Sequence, residues 1–254
     1  MELMRAIRVE WIKVMRSRVF RGALILAAVI MLMIIMALNG QSRSSVWFPF
    51  YFLGVHILFQ ILHLYDLIAI AFAATFMAKE IRDGDILPRL AGLSRRWTLY
   101  AAKWISIASA LAIVVAALTL FSLVVWFLLH GPLPASRPVN LLLFIGMMMM
   151  MALPGMLLAM SAVMLIGQFT GPEGAVVGGM AFVGALEALY DLVPAVRDYL
   201  PVKPLELSEE PYVPLALMAL YIAVVAAAGI LVFGRRDFAG RRLPPGEQED
   251  SPTT

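Results

Sequence analysis

The 254-residue sequence is 62% hydrophobic and only 15% charged, and its charges are gathered into a few blocks separated by long stretches with none. It is too apolar for a soluble core and too poor in charge for a disordered or coiled-coil chain, so most of it must sit in lipid. The absence of cysteine excludes disulfides, thiolate metal sites and cysteine nucleophiles, and the net charge of +3 informs only through where it falls.

Residues 1–21 read as an interfacial helix and not as a span, because Arg5, Arg8, Lys13 and Arg16 recur within them. On a helical wheel Leu3, Met4, Ile7, Trp11, Val14 and Met15 share one arc and the four basic residues take the opposite one, with Val9, Ile12 and Arg18 out of pattern. The apolar side belongs among acyl chains and the basic side against anionic headgroups, with Trp11 at the boundary. Such a helix either anchors the chain alone or also docks a partner protein.

A crossing helix needs about 20 predominantly apolar residues. Six segments qualify, at about 22–38, 51–77, 104–129, 140–166, 174–193 and 212–233. The first follows a basic leader, but its apolar run is longer than that of a signal peptide and no small-x-small cleavage pattern follows, so it reads as a retained helix. The predicted fold class is an all-α integral membrane protein of six transmembrane helices.

The second span carries His56, Gln60, His63 and Asp66, which fall in one stripe of a continuous helix. Ionisable groups at membrane depth are costly and face a bundle interior, a partner or a water-filled path. This face is therefore either the lining of a translocation route or a hydrogen-bonded seam to another helix. Geometry disfavours a metal site: His56 and His63 stand about 10.5 Å apart in rise. His63 and Asp66 have no identifiable third ligand, and Met147 to Met151 surround their helix without converging.

The connection 78–103 mixes six basic residues with Glu80, Asp83 and Asp85, and is punctuated by Gly84 and Pro88. It is either a short helix lying across the membrane surface between two breaks, able to transmit force, or a solvated loop whose charges enforce topology. Further on, Pro154-Gly155 should bend the fourth span or free a carbonyl within it. Gly174 and Gly178 open the fifth with a spacing that permits close helix approach. The outer segment 187–211 holds six acids, Glu187, Asp191, Asp198, Glu206, Glu209 and Glu210, against Arg197 and Lys203, and its four prolines exclude one long helix. Residues 234–254 form a basic-headed tail. Sixteen of the twenty Lys and Arg residues lie before the first span, in 78–103 or in the tail, which places both termini in the cytoplasm.

An amphipathic N-terminus, a first span, and then Glu80, Gly84, Ser94, Arg95 and a Lys103 that opens the next span resemble the ABC-2 type permease family of ATP-binding-cassette exporters. The likeness extends in layout over the whole chain, to the basic tail that follows Phe233. Two positions depart from the family pattern: Gly84 is followed by Asp85 where Thr is usual, and Leu93 stands where Pro is common. The resemblance implies a permease subunit of a prokaryotic plasma membrane that pairs with a second permease, as a homo- or heterodimer, and with ATP-binding subunits. It implies that the 78–103 segment, through Glu80, Gly84, Asp85, Arg89, Ser94 and Arg95, couples transport to the ATPase, and that short re-entrant helices in 187–211 gate the exit. None of the four lysines follows a glycine, so no P-loop is present; ATP and Mg are expected on the partner, and no catalytic residue, cofactor or nucleic-acid partner on this chain. The rival readings are a proton- or ion-coupled secondary transporter or channel, for which His63 and Asp66 speak, and an intramembrane hydrolase, whose signatures are missing.

Overall fold

The computed structural model describes residues 2–41, 55–56, 59, 62–86, 95–130, 141–193 and 212–235. Among them every regular element is helical: α1 (Glu2–Arg16), α2 (Arg18–Gln41), α3, α4 (Arg96–His130), α5 (Leu141–Ile166), α6 (Pro172–Leu192) and α7 (Tyr212–Arg235). Helix α3 is composite, an α-helical stretch (Leu64–Ala73) that widens into a π turn (Ala74–Lys79) and closes with one short α turn (Glu80–Arg82).

Among the described residues five helices are long and apolar enough to cross a membrane, Arg18–Ala37, Arg96–Leu129, Ile145–Ile166, Pro172–Leu192 and Leu215–Arg235. The expected second span, 51–77, lies partly outside the described residues, and its described part is not one uninterrupted helix. The chain turns at Leu62 and His63, where His63 adopts φ 52° and ψ 21°, and α3 starts afresh behind it. A left-handed residue reverses the chain's local direction and cannot continue an α-helix.

Ser17 separates α1 from α2. Its hydroxyl donates to the Val14 carbonyl at 2.8 Å and accepts the Phe20 N–H at 3.0 Å, closing one helix and capping the next. Helix α4 begins eight residues before the expected span because nothing between Arg95 and His130 is Gly or Pro, and it ends where Gly131-Pro132 follow. Lys103, expected at the end of a connection, therefore stands about two turns inside α4. Helix α5 runs through Pro154 without interruption.

Helix α4 is the central post, touching α1, α2, α5 and α7, while α5 joins it to α3 and α6. The core is a band of large apolar side chains, among them Met31, Phe72, Met77, Leu111, Met156 and Met160, all fully buried. One interhelical hydrogen bond ties α4 to α5, from the Trp104 indole to Ser161 Oγ at 2.9 Å. Gly179 lets α6 lie directly on α5 and α3: a Cβ there would stand 2.3 Å from Val163 and 3.3 Å from Ile70. Helices α6 and α7 keep most of their apolar surface exposed, with Val177, Met180, Leu220, Val224 and Leu231 pointing outward. Such surface in five long helices belongs to a membrane-embedded protein.

Candidate functional site

Two polar clusters stand out in this apolar bundle, the first largely buried and the second partly exposed. The first lies where α1, the inner end of α3 and the first turns of α4 meet. Lys103 is 1% exposed, and its ammonium donates to Glu10 of α1 at 3.0 Å, to Glu80 of α3 at 2.5 Å and to the Phe76 carbonyl at 3.1 Å. Lys13 of α1 pairs with the other oxygen of Glu80. Two ammoniums thus neutralise two carboxylates in a site where Lys103, Glu10 and Glu80 are buried and Lys13 is partly exposed, and such pairing is the condition under which buried charges are tolerated. Burial pushes the Glu80 carboxyl up, but the charge and hydrogen bond of Lys103, followed by those of Lys13, outweigh it and hold the group below the usual carboxylate range.

The π turn is what presents Phe76. In an α-helix the Phe76 carbonyl would receive the N–H of Glu80, four residues on; here that N–H turns to Met77, and the carbonyl accepts Lys103. Beyond Arg82 the chain leaves the helix at Gly84, whose φ of 76° suits glycine. Arg82 itself reaches Glu173 at the start of α6, with its Nη1 at 2.9 and 3.1 Å from the two carboxylate oxygens.

The second cluster surrounds the break at His63. Its Nδ1 faces Asp66 at 3.3 Å and its Nε2 faces Glu187 of α6 at 3.2 Å. The two ring nitrogens point to opposite sides, so the three groups do not converge, and among the described residues no group of three or more His, Cys, Asp or Glu is arranged to hold a metal. His56 is directed elsewhere, with its Nδ1 2.5 Å from the buried Tyr65 hydroxyl and the two rings nearly parallel. The single stripe expected of His56, His63 and Asp66 is therefore split in two, because the wheel assumed a continuous helix through His63. Gln60 lies outside the described residues.

No family model matches the chain, and neither a curated protein nor a solved structure matches it.

Of the other residues singled out from the sequence, Asp85 and Arg95 are exposed, while Arg89 and Ser94 lie outside the described residues. Arg5, Arg8 and Arg16 are exposed and Trp11 is half-buried. Lys13, expected at the headgroups, is drawn instead to Glu80. The face of α1 that packs on α4 is also not the plain apolar arc: Glu10 and Val14 are its buried residues, Met4 is 71% exposed, and Ser106 of α4 donates to the Ile7 carbonyl. Glu10, Tyr65 and the role of Glu187 as a partner of His63 escaped the sequence reading. The one available signal was an acid, Glu10, flanked by Arg8 and Lys13 in the middle of a mostly basic interfacial helix.

Proposed function

We propose that this chain is the permease subunit of an ABC-2 type ATP-binding-cassette exporter, a multi-pass protein of the cell membrane with six spans and both termini in the cytoplasm. It forms the substrate pathway by alternating access with a second permease subunit, and takes its energy from a separate ATP-binding subunit bearing on residues 78–103. The observation that supports this most is the inner cluster. Glu80 and Lys103, two of the five positions on which the resemblance rests, bond to each other and to the amphipathic α1. A force delivered to the segment between α3 and α4 has a polar, directional connection to three helices at once.

Co-purification from native membranes tests the proposal. An ATP-binding subunit is expected with the wild-type chain, and Glu80→Gln or Gly84→Val should lower partner-dependent ATPase activity by about tenfold while insertion is kept. Solute uptake by the isolated chain in vesicles, driven by a pH or sodium gradient alone, would overturn it. That outcome would favour the second reading, an ion-coupled transporter, for which the His63 ring between Asp66 and Glu187 is the specific observation. His63→Gln should then abolish the gradient-driven flux.

A further inference from the structure

We propose that Lys103 is a conformational latch: one ammonium holds α1 against α4 through Glu10 and also holds the π turn of α3 open through Phe76 and Glu80. The inference concerns the chain itself and does not depend on the transport reading.

The geometry gives Lys103 two tasks, and the Lys13–Glu80 pair adds a direct tie between α1 and α3. Glu10 is the only partner of Lys103 that α1 supplies among the bonds described above, whereas Phe76 and Glu80 both belong to the inner end of α3. A π turn holds an extra residue within an otherwise α-helical ladder, and such turns persist where something outside the helix favours the altered carbonyl. Here that group is the Lys103 ammonium on the Phe76 oxygen. If the ammonium withdraws, Ala74–Lys79 can rewind to regular α-helix, turning everything beyond it by about 100°. Glu80 then swings away from Lys103, so the wound and widened forms are mutually exclusive alternatives. The position of α1 and the twist of α3 are read by the same cation.

Backbone amide exchange of the full chain in lipid nanodiscs tests this with three variants. Lys103→Met leaves Glu10 and Glu80 without their shared cation, and amides of Glu2–Arg16 and of Ala74–Arg82 should both exchange about tenfold faster, with those of α5 unchanged. Adding Glu10→Leu removes the carboxylate that Lys103 neutralises, and in that double variant α1 should regain its protection while Ala74–Arg82 stays fast. Glu10→Lys places two ammoniums together and should release α1 alone; it keeps the question answerable if Lys103→Met does not assemble. The latch is overturned if Glu10→Lys leaves α1 as protected as in the wild type, or if the double variant restores both segments together, as a general loss of stability would.

Discussion

Individual side chains decide how this bundle tolerates charge. The Glu80 carboxyl is held low by two lysines, below its unfolded value of about 4.3. Its stabilising contribution is complete above that value and is lost as pH falls through the lower folded one. In detergent at pH 7, Glu80→Gln should cost roughly 3 kcal/mol, since it breaks a buried pair from one side. The gap in thermal midpoint between the two proteins should close on acidification below about pH 4.3; a gap that stays constant down to pH 3 would show that the charge on Glu80 is not what is lost. Gly229 makes a second residue-level case. A Cβ there would lie 1.9 Å from the hydroxyl of the fully buried Tyr100, and the neighbouring Gln168 amide already donates to the Gly229 carbonyl at 3.0 Å. Gly229→Ala should destabilise by about 1–3 kcal/mol, measured by thermal unfolding, and Tyr100→Phe should relieve part of it. Neither Gly229 nor Glu10 was legible in the sequence as important. A glycine in an apolar span and an acid in a basic helix acquire meaning only from what stands opposite, and those partners lie more than 90 residues away along the chain.

At the level of single elements, periodicity revealed which stretches are helical but not where the helices break. The amphipathic α1, the long apolar helices and the distinct character of the second span all follow from composition and spacing. The left-handed His63 and the π turn do not, because both are departures from regular geometry stabilised by tertiary bonds, from His63 to Glu187 and from Lys103 to Phe76. A non-glycine residue in the left-handed region costs about 1–2 kcal/mol. His63→Gly should therefore be more stable than His63→Ala by about 1 kcal/mol, since both lose the Asp66 and Glu187 contacts and only one keeps the strain. Equal stabilities in chemical unfolding would mean that the turn survives without its histidine only by changing shape. The α1–α2 junction is simpler: Ser17→Ala removes the cap on Phe20 and should cost about 1 kcal/mol, visible as faster protease cleavage between the two helices.

At the scale of the whole molecule, the all-helical character of the described residues was legible because the charges cluster so sharply between apolar stretches. The proposed six spans rest on the lengths of the apolar segments and the proposed orientation on the basic-residue count, and the absence of cysteine makes the orientation easy to check. In intact cells, Arg43→Cys should react with an impermeant thiol reagent, whereas Arg89→Cys should react only after permeabilisation. The reverse pattern would invert the orientation. The pairing of Glu10 with Lys103 spans 93 residues, and this imposes an order on biogenesis. At ordinary translation speeds the lysine follows the glutamate by roughly 5 to 20 seconds. Throughout that interval α1 is without the ammonium through which Glu10 is tied to α4, so it waits at the bilayer for a helix still inside the ribosome. Nascent chains arrested before residue 103 should leave that segment open to protease, and those arrested after α4 has emerged should not.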